Sequence, residues 1–163
     1  MLKRTLALAV VLAAVVATGS AVAATRGGTT VTLHKTSLGK VLAASNGMTL
    51  YLFAADTRTK SNCDAACAAY WPPVTTKGKP VAGPGLKASL LGTIHRGAKL
   101  QVTYAGHPLY RFALDTRIGQ TGGENRNDFG GHWFVLNSAG KKVAPTSGGT
   151  TTTGGGGGYG SYP

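Results

Sequence analysis

Apolar and polar residues alternate over short segments of this chain, and one such segment occurs twice. Residues 50–58 read LYLFAADTR, and residues 109–117, 59 positions later, read LYRFALDTR. Aligned without gaps from Lys40 and Lys99, the two copies agree at nine of 19 positions. We therefore expect a single domain over residues 31–144, built from two tandem repeats. The repeats are expected at about residues 36–74 and 93–138.

Alternation with a period of two predicts β-strands in both repeats. Asn46-Gly47, between two strand-like segments, is a strong signal for a hairpin turn. The fold class is expected to be mainly β, a β-rich α+β arrangement of antiparallel hairpins with one short disulfide-bearing helix. The predicted strands are residues 30–34, 39–44, 49–53, 92–95, 99–104, 109–112 and 132–136.

The motif strand has two different faces. Side chains two positions apart lie on the same face of a strand, so Tyr51 and Phe53 suit a buried aromatic pair. Leu50 and Leu52 then cover the opposite face. The corresponding aromatic residues of the second repeat are Tyr110 and Phe112.

An aspartate follows each motif strand, Asp56 in the first repeat and Asp115 in the second. A carboxylate at this position can accept backbone N–H groups of the following turn, here at Thr57 and Arg58. We interpret the motif as a folding signature on this basis. The alternative is that the two aspartates converge on one cleft as an acid–base or cation-binding pair, as in a hydrolase.

Both cysteines lie in a segment that predicts one short helix. Ser61 or Asn62 offers an N-cap, alanines fill the interior, and the prolines at 72–73 force its end. Cys63 and Cys67 then lie on one helical face, and in an exported protein they are expected to form a disulfide. An accessible, strained bridge would instead support a redox role, and added histidine ligands would support a metal-handling role.

A loop over residues 118–131 is dense in glycine, asparagine and charge. Oxygen atoms of Asn125, Asn127 and Asp128 are candidate ligands for a hard cation such as calcium, although they do not follow an EF-hand series. The serine-hydrolase elbow, the zinc-protease helix and the dinucleotide fingerprint are absent from the sequence. No catalytic residue, other metal site or cofactor is therefore assigned.

The two ends of the chain differ in composition from its centre. Residues 1–23 combine a basic start, an apolar run and an Ala-Val-Ala cleavage site, which predicts a signal peptide. No transmembrane segment is expected after its removal. Residues 146–163 contain only glycine, threonine, serine, tyrosine and proline, which predicts a disordered tail.

The chain carries 17 basic and five acidic residues, and removal of Lys3 and Arg4 with the signal peptide leaves a net charge of +10. Such a surface favours anionic partners, here anionic cell-wall polymers or lipid headgroups. The basic residues are spread along the chain without interleaved aromatic residues, so a specific nucleic-acid reader is not expected.

The order of motifs resembles a known bacterial family. Tyr51-x-Phe53-x-x-Asp56, the two cysteines, Trp71-Pro72-Pro73 and the second copy of the motif are similar to the "secreted repeat of unknown function", also described as predicted lipoproteins with a Yx(F/W/Y)xxD motif. The resemblance implies an extracytoplasmic envelope protein with tandem repeats and supplies no catalytic residues. This chain departs from the lipoprotein description because no cysteine lies at the cleavage site.

These observations predict an uncharacterised secreted or cell-envelope protein, in the periplasm or envelope. Its expected role is that of a non-catalytic binding or structural module whose basic surface contacts anionic envelope material. A redox or metal-handling module that uses Cys63 and Cys67 is the first alternative. A hydrolase that uses Asp56 and Asp115 is the second.

Overall fold

The computed structural model describes residues 27–143. The signal peptide expected at residues 1–23 and the tail expected at 146–163 lie outside the described residues. Within the described range the chain forms ten strands, one α-helix and one short 3-10 helix. The fold is mainly β, and a disulfide adjoins the helix, so the expected fold class is confirmed.

Most strands are short, and nine of the ten contain no more than six residues. The strands are β1 Thr30–Thr36, β2 Gly39–Ala44, β3 Tyr51–Phe53, β4 Thr75–Thr76, β5 Val81–Ala82, β6 Leu91–Arg96, β7 Lys99–Tyr104, β8 His107–Pro108, β9 Asn127–Asp128 and β10 Gly131–Val135. The helix α1 spans Ala65–Tyr70, and the 3-10 turn spans Ala88–Leu90.

The strands form three small sheets in the described part of the chain. Their strand orders are β2-β1-β5, β3-β10-β9 and β4-β7-β6, with β8 also paired to β7. All neighbours are antiparallel except β1 and β5, which pair in parallel. The segment between the repeats therefore contributes β4 to one sheet and β5 to another.

The two repeats are interwoven through their motif strands. Tyr51 and Tyr110 face each other across an antiparallel bridge, and each backbone N–H donates to the other residue's carbonyl, at 2.9 and 3.0 Å. Beyond each motif the chain crosses to the other repeat. Val135 in β10 pairs with Tyr51, and Pro73 pairs with Tyr110. Each motif strand is thus completed by the segment that follows the other motif.

The motif strand separates two hydrophobic clusters. Tyr51 and Phe53 belong to an aromatic cluster, whereas Leu50 and Leu52 belong to an aliphatic one. This is the division that the period of two predicts, because successive side chains of a strand point to opposite faces. The second repeat divides in the same way, with Tyr110 and Phe112 in the aromatic cluster and Leu109 in the aliphatic cluster.

The structure corrects the ungapped alignment of the repeats before the motif. The first hairpin closes on the pair Thr36 and Gly39, and the second closes on Arg96 and Lys99. Gly39, not Lys40, therefore occupies the place of Lys99. The reason is the next turn, since Leu50 N–H donates to Leu42, eight positions back, whereas Leu109 N–H donates to Val102, seven positions back. The first repeat has one extra residue in this turn.

The helix begins later than its sequence predicts. Asp64, rather than Ser61 or Asn62, is the N-cap, and its carboxylate accepts the Cys67 N–H at 2.9 Å. Ser61 and Asn62 are held elsewhere, because the Ser61 and Tyr110 hydroxyls share a hydrogen bond at 2.7 Å and the Asn62 N–H donates to Asp56. Cys63 consequently lies before the helix, not on the same helical face as Cys67.

Candidate functional site

The tyrosines and aspartates of the two motifs are paired across the repeats. The Tyr51 hydroxyl donates a hydrogen bond to Asp115 Oδ2 at 2.5 Å, and the Tyr110 hydroxyl donates one to Asp56 Oδ2 at 2.5 Å. Each aspartate therefore binds the tyrosine of the other repeat. The sequence interpretation, in which each motif acts within its own turn, missed this exchange.

Each aspartate also fixes the loop that follows its own motif. Asp56 Oδ1 accepts the Asn62 N–H at 2.7 Å, and Asp115 Oδ1 accepts the Gly122 N–H at 3.0 Å. These donors lie six and seven residues beyond the aspartates, not in the immediate turn at Thr57 as the sequence suggested. Each carboxylate thus ties a loop of its own repeat to the motif strand of the other.

Burial dominates the electrostatics of these pairs. It raises the pKa of Asp56 and of Asp115 above the usual carboxyl range, although the tyrosine hydroxyl and backbone donors partly offset the rise. Burial also raises the pKa of Tyr51 and of Tyr110, and the bonds to the aspartates add to it. A buried carboxylate without its donor carries a large desolvation cost, so these four groups stabilise one another.

Four aromatic rings stack through the centre of the aromatic cluster. Trp71 and Trp133 are nearly parallel, with centroids 3.8 Å apart. The ring centroid of Phe53 lies 4.2 Å from that of Trp133, and the ring centroid of Phe112 lies 4.4 Å from that of Trp71. Both tryptophans are fully buried. The stack contains one tryptophan and one motif phenylalanine from each repeat, so both repeats share a single aromatic core.

The disulfide adjoins this core. Cys63 and Cys67 are joined, with Cα atoms 5.2 Å apart, and both residues are buried at 3% and 1% exposure. The Arg96 guanidinium, from the second repeat, donates to the Cys63 carbonyl and to the Ser61 hydroxyl. Redox exchange needs access of a thiolate to a sulfur atom, and this burial favours a structural bridge.

The glycine-rich loop of the second repeat is more regular than its sequence indicated. Its end forms the β9–β10 hairpin, and the Asn125 N–H donates to the Trp133 carbonyl at 2.8 Å. Gly123 passes so close to the core that a Cβ atom there would lie 2.7 Å from the Trp71 ring. A glycine is therefore required at this position for the loop to close over the tryptophans.

The residues that suggested a hard-cation site lie in this loop. Both carboxylate oxygens of Asp128 accept bonds from the Arg126 guanidinium, at 2.6 and 3.3 Å. Asn127 is exposed in β9, and Asn125 has a backbone φ of 56°. Within residues 27–143, no group of three or more His, Cys, Asp or Glu side chains is placed to hold a metal ion.

Asp115 borders a cavity of about 450 Å³. Phe112 and Leu114 form its apolar side, and Gln120 and Arg126 contribute polar groups. Asp56 is absent from the lining of this cavity, and it contacts the loop at Asn62 instead. The structure therefore assigns the two aspartates to two separate hydrogen-bonded environments, each dominated by a partner tyrosine.

A family profile described as a secreted repeat of unknown function matches residues 32–75 and 93–137. The two matches cover more than half of the 163 residues. The chain belongs to this family. Searches of curated proteins and of solved structures found no match. No helix of this secreted repeat protein within residues 27–143 is long and apolar enough to cross a bilayer.

The acidic side chains of the secreted repeat protein form hydrogen bonds within the fold. All five acidic side chains accept hydrogen bonds from other groups of the protein. These acceptors are Asp56, Asp64, Asp115, Glu124 and Asp128. Each of these carboxylates contributes to the fold, and in residues 27–143 the 14 basic residues outnumber the five acidic ones.

The basic side chains have almost no acidic partners. Residues 27–143 contain 14 lysine and arginine residues, and the only ion pair found among them joins Arg126 to Asp128. The other 13 have no carboxylate within 4 Å in this part of the chain. Sequence analysis gave the excess charge, but it missed that the acidic groups are used internally. The position of Asp56 and Asp115 directly after buried strands was the sequence signal that could have indicated these internal hydrogen bonds.

Proposed function

We propose that this member of the secreted repeat family is a non-catalytic envelope module that binds anionic material through its basic surface. The observation that carries the proposal is the internal use of all five carboxylates. Because 13 of the 14 basic side chains in residues 27–143 form no ion pair within 4 Å, and basic residues far outnumber acidic ones there, the surface carries a net positive field.

The arrangement of the motif residues supports a role without catalysis. Tyr51 and Tyr110 are fully buried, and each donates to an aspartate that also holds a loop. A general acid or base must reach the atom whose proton it transfers. Here the motif tyrosines and aspartates themselves have shifted pKa values, and they bind one another inside the protein. Each tyrosine–aspartate hydrogen bond therefore joins the two repeats.

The partner is expected to be a polyanion of the cell envelope. Exposed lysine and arginine residues attract such a partner through many weak contacts, each of which is screened by salt. Binding should therefore be broad in chemistry and strongly dependent on ionic strength. Anionic wall polymers and lipid headgroups are the two sources of negative charge that an extracytoplasmic basic protein would meet.

The test is sedimentation of the full chain with isolated bacterial cell walls at increasing salt. We expect binding at low salt and release as the Debye length falls to about 3 Å near 1 M salt. Walls stripped of their phosphodiester-linked polymers serve as the matched control, since the peptidoglycan mesh remains. Binding that persists at high salt, or that is unchanged on stripped walls, would contradict the proposal.

A further inference from the structure

The segment that links the repeats forms one side of an open groove. A cavity of about 790 Å³ lies between β4 and the tip of the β6–β7 hairpin, lined by Lys77 and Lys99. A second cavity of about 280 Å³ is lined by Lys79. Leu100 lines both cavities, and we name the basic surface that the two cavities form together the linker groove.

The linker groove is basic and carries hydroxyl groups. Lys77, Lys79 and Lys99 are exposed, and neither cavity is lined by an acidic residue. Threonines at 29, 75 and 76 line the larger cavity, and a fourth at 93 lines the smaller one. Lysine ammonium groups bind phosphate as point charges. The exposed hydroxyls of Thr75 and Thr93 can donate to the remaining phosphate oxygens or to alcohols.

The groove floor is held in place by hydrogen bonds between separate segments. The Thr29 N–H donates to Thr76 Oγ1 at 3.0 Å, and the Thr29 hydroxyl donates to the Thr75 carbonyl at 2.7 Å. Thr76 in turn donates to the Gly78 carbonyl at 2.8 Å. The lysines at 77 and 79 therefore project from a fixed backbone, which reduces the entropy lost when a ligand orders them.

The lining also limits the kind of polyanion that fits. No aromatic side chain lines either cavity. Single-stranded nucleic acid gains much of its affinity from bases stacked on aromatic rings, and the tryptophans that could do this are fully buried here. An elongated, open, basic groove without stacking surfaces suits a flexible chain of alcohols and phosphates.

We infer that the linker groove is a binding site for a phosphodiester-linked polyol chain, with Lys77, Lys79 and Lys99 contacting successive phosphates. This site deepens the proposed function and rests on it, because it locates the polyanion on one face of the protein. The other exposed basic residues then contribute to approach of the polymer more than to its final position.

The test measures the affinity of the full chain for synthetic poly(glycerol phosphate) over a range of salt concentrations. The groove variant is K77Q/K99Q, and the matched control is K60Q/K141Q, which removes the same charge from exposed positions that line neither cavity. We expect the groove variant to bind at least about tenfold more weakly than the control, and its log–log salt slope to fall by about two.

Two further probes separate the sources of phosphate. Glycerol phosphate monomer tests a single phosphate, and vesicles of phosphatidylglycerol test a lipid surface. The inference requires the groove variant to lose more affinity for the polymer than for the monomer or the vesicles. Dependence on the groove lysines for vesicles alone would overturn the polymer as the ligand.

The groove and the proposed function can fail separately. If the wild-type chain binds poly(glycerol phosphate) and both double variants weaken equally, the groove is wrong and a diffuse basic surface remains. If the wild-type chain binds neither polymer, vesicles nor cell walls, the proposed function fails with it. Thermal unfolding of each variant, expected to be unchanged, confirms that the lost binding is not lost folding.

Discussion

The two repeats reach the same aromatic core through different local structures. Before Trp71, the first repeat has α1 and the Cys63–Cys67 disulfide. Before Trp133, the second repeat has the β9–β10 hairpin, without a disulfide. After these segments the equivalence returns, because Ala113 N–H donates to the Tyr70 carbonyl as Ala54 N–H donates to the His132 carbonyl. A repeat can therefore keep its long-range contacts while its intervening loop changes fold.

The difference is visible at the two indole nitrogens. Trp133 Nε1 donates to the Asp128 carbonyl at 3.2 Å, a group that the β9–β10 hairpin provides. Trp71 Nε1 is buried and has no hydrogen-bond partner within the described residues. Both repeats contribute a tryptophan to the stack, but only the tryptophan of the second repeat has a hydrogen bond from its indole N–H.

The largest expected effect comes from removal of either tryptophan. W71A and W133A should each lower the free energy of unfolding by about 3–5 kcal/mol, because a large cavity opens in the shared stack. Since both repeats contribute to this stack, each variant should unfold in a single transition, with the same midpoint by circular dichroism and by tryptophan fluorescence. A folded half that survives in either variant would contradict the interwoven core.

Removal of the disulfide should loosen the first repeat more than the second. The double variant C63A/C67A opens a short loop with a sequence separation of four, and the chain-entropy relation gives a loss of about 2 kcal/mol. Hydrogen exchange should increase around α1 while the β9–β10 amides stay protected up to global unfolding. Equal increases in both places would show that the bridge stabilises the whole core rather than its own loop.

Removal of a tyrosine hydroxyl tests the hydrogen bonds between the tyrosine of one motif and the aspartate of the other. Y51F should lower the free energy of unfolding by about 1–3 kcal/mol, since it leaves the carboxylate of Asp115, 6% exposed, without its donor. Y110F should cost less, because Asp56 is more exposed and lies near Arg96. The control D115N/Y51F removes the buried charge, and it should recover part of the stability lost in Y51F. Chemical denaturation measures all three.

The smallest expected effect is on pH dependence. Burial raises the folded-state pKa of Asp56 and Asp115 above the unfolded value, so the native state holds protons that the unfolded state releases. Their contribution therefore favours folding below the unfolded pKa of about 4, and it is lost as pH rises through the raised folded pKa. D115N should flatten the rise in stability on acidification from neutral pH towards the unfolded pKa.

Glu124 and His107 also contribute to the pH dependence of stability, and their contributions must be separated from those of the aspartates. Burial likewise raises the pKa of Glu124, whereas the pKa of His107 is lowered by burial and by the charges of Arg58 and Lys142. His107 thus opposes the aspartates, because its protonation on acidification favours the unfolded state. The variants E124Q and H107N isolate these contributions. An unchanged pH profile in D115N would contradict a perturbed carboxyl at Asp115.

Sequence patterns predicted what depends on neighbouring residues. Alternation placed Tyr51 and Leu52 on opposite faces, and Asn46-Gly47 marked a turn that Ala43 and Thr49 flank as an antiparallel bridge. Both features depend on local backbone geometry. The helix start was wrong because three residues between 61 and 64 can cap a helix, and distant partners, Tyr110 and Asp56, occupy the first two of them.

The pairing of strands that lie far apart in the chain could not be predicted from the sequence patterns. Either motif strand could pair within its own repeat or with the other repeat, and nothing in the alternation of Leu50-Tyr51-Leu52 distinguishes these partners. The exchange of Tyr51 with Asp115 and of Tyr110 with Asp56 follows only from that crossing. The linker groove was equally hidden, since it requires β4 and the β6–β7 tip to lie side by side.

The crossing of the chain beyond each motif also determines the smallest unit that can fold. An isolated first repeat would keep β3 but would lack β10, its partner along Tyr51–Phe53. Two such fragments could satisfy one another only by exchanging their closing segments, as in a domain-swapped dimer. The full chain has the topology of that dimer with its two copies joined in tandem, and the segment that joins them is the one that carries Lys77 and Lys79.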